Sequence, residues 1–120
     1  MTNSTERAAR IAIAGVCGSG KTTIVDRLRQ RGYDAYVVSQ EHSIIRDLWN
    51  HQDPSALVFL DIPLETVRAR RNNDWPRWMY DLQQDRLADA RAHATVTIET
   101  DNRSIEETVD LIIQALKQRE

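Results

Sequence analysis

The chain has 120 residues, a formal net charge of −2 and a single cysteine, Cys17. This length fits one domain with one modest core and is too short for a second independent one. The slight acidic balance argues against nucleic acid as a partner. One cysteine excludes an intrachain disulfide, and three scattered histidines give no spacing typical of a structural zinc site. With no leader of the secretion type and no segment long enough for a bilayer, we expect a soluble cytoplasmic protein without a membrane partner.

In chain order, residues 1–9 are predicted to be a disordered arm, and residues 10–120 a single domain. Residues 10–14 form an apolar run that is typical of a strand buried on both faces. After a glycine-rich loop, residues 21–31 carry apolar side chains on one helical face. That helix stops at Gly32, a residue suited to the turn after a helix.

The middle of the chain predicts two further strands. Residues 33–39 are rich in β-branched and aromatic side chains, which favours the second strand, and residues 57–61 form the third. Between them lies a polar stretch with a helical centre at residues 44–49.

The remaining elements continue the alternation of helices and strands. Pro63 opens a helix that ends near residue 71, and a further helix over residues 77–92 carries Met79, Leu82, Leu87 and Ala90 on its inner side. Residues 95–99 are the fourth strand. Ser104 and Glu107 have the spacing of a capping box before a last amphipathic helix. The pattern predicts an α/β protein in three layers, with a mainly parallel sheet of about four strands and helices on both faces.

Residues 15–22 carry the chemistry, because GVCGSGKT matches the phosphate-loop (P-loop) pattern GxxxxGK[ST]. Glycines let successive backbone N–H groups point at phosphate oxygens, and the helix that begins at Lys21 adds its positive dipole end. Lys21 is expected to reach the β- and γ-phosphates, Thr22 to ligate magnesium, and Thr23 to contact the α-phosphate region. The residues predicted to bind the nucleotide are Gly15, Cys17, Gly18, Ser19, Gly20, Lys21, Thr22 and Thr23.

Several classes of P-loop protein are excluded by what the chain lacks. Since no glycine follows Gly32, the DxxG motif of GTPases cannot occur. An LSGGQ-like signature and a GxGxxG dinucleotide fingerprint are also missing.

Three segments resemble the small-molecule kinases with P-loops, the nucleotide-monophosphate, shikimate and gluconate kinase-like group. They are residues 15–23, residues 58–71 (VFLDIPLETVRARR) and residues 94–116. The resemblance implies that Arg68 and Arg71, with Arg70 or Arg77 as further candidates, come from a lid and meet the transferring phosphoryl group. The alternative is a solvated arginine-rich helix face.

Two acidic residues are candidates for the chemistry around the phosphates. Glu41 follows the second strand, and deoxynucleoside kinases are similar here, with a glutamate after that strand and a tryptophan downstream, as in Trp49. We expect Glu41 to act as a general base or to position the nucleophile, the alternative being an exposed loop acid. Asp61 ends an apolar run like a magnesium-binding Walker B strand, whereas the kinase resemblance makes it a structural residue.

Together these features predict a protein that binds ATP and Mg²⁺ and cleaves the γ-phosphate. Lys21, Glu41, Arg68 and Arg71 are the expected catalytic groups, and Thr22 and Asp61 the expected metal ligands. The phosphate passes to water or to a small hydroxyl acceptor, although the region available for an acceptor is short. The alternative is a nucleotide-dependent switch with little turnover, in which ATP orders residues 72–91 for a protein partner.

Overall fold

A parallel sheet forms the centre of the molecule, in a computed structural model that describes residues 10–118. Its strands are β1 (Arg10–Gly15), β2 (Asp34–Val37), β3 (Ala56–Asp61) and β4 (Val96–Glu99). They lie in the order β2-β1-β3-β4, and every pairing is parallel. The predicted α/β class and four-stranded parallel sheet are therefore confirmed. The arm predicted for residues 1–9 lies outside the described residues.

Five α-helices accompany the sheet within residues 10–118. They are α1 (Lys21–Gln30), α2 (Leu64–Arg71), α3 (Arg77–Arg86), α4 (Ala88–His93) and α5 (Ile105–Gln118). Pro63 is the residue that caps the start of α2, so that helix begins one residue later than the sequence predicts. None of the described helices has the length and apolar character needed to cross a membrane.

The two faces of the sheet bury different apolar clusters, because successive residues of β1 point to opposite sides. Ile11 and Ile13 pack in one cluster with side chains of α1 and α5. Ala12 and Ala14 belong to a second cluster with side chains of α2 and α4. Burial of β1 on both faces agrees with its uninterrupted apolar run, and the arrangement is compatible with three layers.

The strand order fixes where a ligand can approach. From β1 the chain moves outward to β2 at one edge of the sheet, and from β3 it moves outward to β4 at the other edge. The direction in which strands are added therefore reverses between β1 and β3. In open α/β sheets such a reversal leaves a crevice at the carboxyl ends of the strands. Residues 15–20, called the glycine loop below, follow β1 at this crevice.

The helix predicted at residues 44–49 is wrong. Two single-turn 3₁₀ helices, Gln40–His42 and Leu48–Asn50, stand in that region. The buried amide of Gln40 donates to Ile45 O at 2.6 Å and accepts from Trp49 N–H at 2.9 Å. Because the Trp49 N–H bonds to this side chain, it is not available for a helical bond to Ile45 O, which instead accepts from Leu48 N–H at 3.3 Å. Ile44, one of the predicted apolar positions, is 83% exposed.

The helix predicted over residues 77–92 is divided at Leu87. There the backbone tightens to φ −92° and ψ −2°, and the N–H of Leu87 bonds to both Gln83 O and Gln84 O. The side chain of Leu87 is fully buried, and Ala90 of α4 joins it in the second cluster. The predicted inner side also needs correction, because Leu82 is exposed while Gln83 is buried.

The capping box before α5 is present and gives a prediction about pH. Ser104 Oγ accepts from Glu107 N–H at 3.0 Å, and Glu107 Oε1 accepts from Ser104 N–H at 2.8 Å. The bond from the Ser104 backbone holds the pKa of Glu107 below its ordinary value. A carboxyl whose pKa is lower in the folded state stabilises the protein above its unfolded pKa of about 4.3. That stabilisation is lost as the pH falls through the folded pKa.

We therefore expect the wild type to lose stability relative to Glu107→Gln as the pH is lowered from about 5 to 3, since glutamine keeps the acceptor but does not titrate. Ser104→Ala should lower the free energy of unfolding by about 1 kcal/mol at pH 7. Urea unfolding at several pH values measures both effects. A stability difference between wild type and Glu107→Gln that stays constant across this range would contradict the expectation.

Candidate functional site

The glycine loop turns sharply between β1 and α1. Gly18 has φ +84° and Gly20 has φ +95°, a left-handed conformation that side chains with a Cβ rarely adopt. Gly20 is also the residue that caps the start of α1. The bond from Ser19 N–H to Val16 O at 3.1 Å closes the turn. Backbone groups of the loop therefore gather at the amino end of a ten-residue helix.

Gly15 is required by a close approach rather than by its backbone angles. A Cβ at this position would lie 2.7 Å from Leu60 O and 2.7 Å from Ser19 Oγ. The first of these atoms belongs to the backbone of the neighbouring strand β3, which pairs with β1 at this residue. The loop thus folds back tightly against the end of the sheet.

Lys21 lies under the loop instead of extending into solvent, with only 9% of its surface exposed. Its ammonium donates to Gly15 O at 2.8 Å and to Val16 O at 3.1 Å. It also pairs with Glu41 Oε2 at 2.8 Å. An ammonium has three N–H donors, so these three oxygens give it a full set of partners.

Glu41 enters the site because β2 lies directly beside β1 and both strands end at the same edge. It stands on the turn Gln40–His42 and is 3% exposed, which excludes the alternative of an exposed loop acid. One carboxylate oxygen pairs with Lys21. The other, Oε1, is buried and has no hydrogen-bond partner within the described part of the chain.

Gln83 of α3 is a site residue that the sequence analysis missed. Its Oε1 accepts from Cys17 N–H at 3.0 Å, and its Nε2 donates to Cys17 Sγ at 3.3 Å. The side chain is almost completely buried. A glutamine in an amphipathic helix carries no distinctive signal, and only the packing of α3 against the loop identifies it.

The arginines of α2, namely the predicted Arg68 and Arg71 and the further candidate Arg70, contact different parts of the molecule. Arg70 donates to Gly18 O of the glycine loop at 2.9 Å and, beyond the loop, to Thr100 O at 2.7 Å. Arg68 donates from Nε to Trp75 O at 2.9 Å. The Arg71 guanidinium lies 4.3 Å from the centre of the Trp75 ring. The helix therefore holds Arg68 and Arg71 on Trp75.

The predicted metal ligands Thr22 and Asp61 are in different surroundings. Thr22 is exposed in the first turn of α1, next to Thr23, which is also exposed. Asp61 ends β3, and its Oδ2 pairs with Arg91 of α4 at 3.2 Å. The same guanidinium lies 4.4 Å from the centre of the Phe59 ring. The carboxylate of Asp61 is therefore engaged with α4.

The chain matches no model of a known protein family, and it matches no curated protein. The grounds for assigning a function consequently lie in the residues themselves. Among these, the glycine loop, Lys21 and Glu41 form a polar arrangement at the crevice in which both charged side chains are buried.

The contact around Gly15 gives a prediction about the loop. Gly15→Ala should lower the free energy of unfolding by about 1–3 kcal/mol, because the added methyl group meets a backbone oxygen that cannot move aside. Ser19→Ala removes the other close atom and, since Ser19 Oγ is buried without a partner in residues 10–118, should itself be nearly neutral.

A double-mutant cycle in urea, without nucleotide, measures the coupling of these two positions. The double variant should recover part of the loss, with the remainder due to Leu60 O. If Gly15→Ala were as stable as the wild type, the loop would be less tightly packed than the 2.7 Å approach to Leu60 O implies.

Proposed function

We propose that the chain is a P-loop protein that binds ATP with magnesium at the glycine loop and cleaves its γ-phosphate. The observation that carries this proposal is the buried ammonium of Lys21, held by loop carbonyls at the start of α1. Left-handed glycines, the amino end of a helix and a fixed cation all favour a polyanion at the same place. No basic surplus elsewhere on the chain is needed for such a site.

The position of the loop in the fold supports the same conclusion. It follows β1, next to the reversal of winding between β1 and β3. This is where open α/β sheets bind their ligands. A nucleotide there would meet the exposed hydroxyl groups of Thr22 and Thr23 on one side and residues 40–42 on the other.

The ion pair of Lys21 and Glu41 suggests how the phosphates are accepted. In the free protein, Glu41 supplies the negative charge that Lys21 requires. The phosphates of ATP carry more negative charge than one carboxylate and compete for the same ammonium. When a phosphate oxygen takes over Lys21, the Glu41 carboxylate is left beside the phosphates. There it can position a nucleophile or accept its proton.

The oxygen donors around the loop fit a magnesium ion. Glu41 Oε1 is a buried oxygen without a partner in the described chain, and the Thr22 hydroxyl stands in the first turn of α1. Mg²⁺ binds such hard oxygen ligands, often through water, and when bound it neutralises charge on the phosphates. Asp61 is paired with Arg91 and would have to share or release that guanidinium to join these ligands.

A nucleotide-dependent switch is the second candidate, and the exposure of Trp78 favours it. This tryptophan of α3 is 63% exposed, within the segment 72–91 that the sequence analysis assigned to a protein partner. The same helix contacts the glycine loop through Gln83. Nucleotide binding at the loop could thus alter the position of an exposed aromatic side chain.

Replacement of Lys21 tests the proposal most directly. The purified protein should bind Mg-ATP and release phosphate, and Lys21→Ala should abolish both, whereas Lys117→Ala, at the other lysine of the chain, should leave both intact. Lys21→Ala leaves Glu41 buried without its cation, which can cost about 3–5 kcal/mol of stability. The double variant Lys21→Met with Glu41→Gln removes both charges and avoids this loss.

Calorimetry gives the ATP affinity. A phosphate assay with nucleosides, nucleotides and sugar acids separates a kinase, whose turnover rises with one acceptor, from an ATPase. Binding without turnover would indicate the switch. Wild-type ATP affinity in the folded double variant would refute the proposed phosphate site.

Replacement of Glu41 tests the proposed chemistry separately. Glu41→Gln should lower phosphate release by about 10²- to 10⁴-fold, the usual contribution of a general base. ATP affinity measured without divalent cations should be retained or raised, because Lys21 is no longer paired with a carboxylate. Like Lys21→Ala, this variant leaves a buried charge without its partner, which can cost about 3–5 kcal/mol of stability. Glu65→Gln, at an exposed carboxylate of α2, is the matched control and should behave as wild type. Turnover at the wild-type rate in folded Glu41→Gln would limit Glu41 to holding Lys21.

A further inference from the structure

A thiol, a carboxylate and an imidazole meet beside the glycine loop. Cys17 belongs to the loop, while Glu41 and His42 stand on the turn that follows β2. Their ligand atoms all lie within 4.8 Å of one another. His42 Nε2 is 3.7 Å from Cys17 Sγ and 3.7 Å from Glu41 Oε2.

These separations are close to those around a tetrahedral zinc ion. With bonds of about 2.3 Å to sulfur and about 2.0–2.1 Å to nitrogen and oxygen, tetrahedral angles separate sulfur from nitrogen by roughly 3.6 Å and nitrogen from oxygen by roughly 3.4 Å. The two observed distances exceed these values by a few tenths of an ångström. The third separation, between Cys17 Sγ and the Glu41 carboxylate, lies within 4.8 Å. Bringing the three atoms onto one ion therefore requires these two side chains to approach by up to about 1 Å.

The state of Glu41 is an independent sign that a cation belongs here. Its side chain is 4% exposed, and Oε1 lacks a hydrogen-bond partner among residues 10–118. A buried carboxylate oxygen that forms no bond destabilises the folded state. The separation of 3.7 Å from His42 is to Oε2, which Lys21 already holds. A metal ion at the cluster would therefore satisfy Oε1 if the carboxylate binds it through both oxygens or turns to present Oε1.

Neighbouring side chains hold two of the three ligands in position. The Gln83 amide donates from Nε2 to Cys17 Sγ at 3.3 Å, and Lys21 donates to Glu41 Oε2 at 2.8 Å. Supporting hydrogen bonds of this kind orient the ligands of metal sites. His42, in contrast, has an exposed side chain. Cys17 and Glu41 are therefore held in position, whereas the His42 imidazole is exposed to solvent. An ion can enter the cluster from the side of His42.

We propose that Cys17, Glu41 and His42 form a zinc-binding site with three protein ligands and an open fourth position. Thiolate and imidazole donors select zinc over magnesium or calcium, which prefer oxygen ligands alone. Binding releases the thiol proton of Cys17 to solvent. The scattered histidines of the sequence give no zinc spacing, because the ligands come from two segments that only the parallel pairing of β1 and β2 brings together.

Cobalt(II) titration of the reduced, untagged full chain tests the site without any nucleotide, so its result does not depend on the proposed function. Because Cys17 is the only cysteine, a sulfur-to-cobalt charge-transfer absorption can arise only from this residue. We expect one cobalt ion per chain, the charge-transfer band, and its disappearance when one equivalent of zinc is added. Cys17→Ser should lose the band.

His42→Gln provides the decisive comparison, since an exposed side chain can be replaced without disturbing the fold. It should weaken cobalt affinity at least about tenfold, the lower end of what loss of a supporting partner costs at metal sites. His51→Gln, at an exposed histidine paired with Asp47 elsewhere, is the matched control and should bind as wild type. Absence of the band in the wild type, or unchanged affinity in His42→Gln, would overturn the proposal.

Discussion

The buried ion pair between Lys21 and Glu41 is the contact on which the geometry of the glycine loop depends. The two charged groups lie 2.8 Å apart, with side chains 9% and 4% exposed. The same ammonium holds two loop carbonyls, so it ties the end of β1 to the turn after β2. In this environment neither charge is stable alone, because removing one partner leaves the other buried and uncompensated. The shape of the loop is therefore set by the pairing of the Lys21 ammonium with the Glu41 carboxylate.

The order of the strands explains how so short a chain assembles this arrangement. β2 is the immediate neighbour of β1, so the residues that follow the two strands emerge side by side. The long connection from β3 to β4 places α3 beside the glycine loop, where Gln83 bonds to Cys17. Three separate segments thus converge at one edge of a four-stranded sheet. The site needs no second domain, because parallel strands direct their carboxyl ends to the same place.

The sequence predicts those features that depend on local patterns. The apolar run predicts β1, because burial on both faces requires consecutive apolar residues. The capping box predicts the start of α5, because capping requires Ser104 and Glu107 at a fixed spacing. The predicted helix at residues 44–49 fails because the Gln40 side chain takes the N–H of Trp49, a contact that the spacing of apolar residues does not reveal. The motif locates Lys21, but not its partner. Which arginine of α2 meets the loop depends on the rotation of that helix, and this too is set by packing.

Charge balance connects the two proposals. The buried Glu41 carboxylate needs a positive neighbour in every state, and in the free protein Lys21 supplies it. If phosphates take over Lys21, Glu41 loses that neighbour, and a divalent cation is the compact group that can replace it. Binding of the polyanion and of a metal ion near Glu41 should then favour one another, and by thermodynamic linkage the coupling is reciprocal. The Glu41 carboxylate, with Oε2 held by Lys21 and Oε1 without a hydrogen-bond partner in residues 10–118, would then be the group through which nucleotide and metal affect each other.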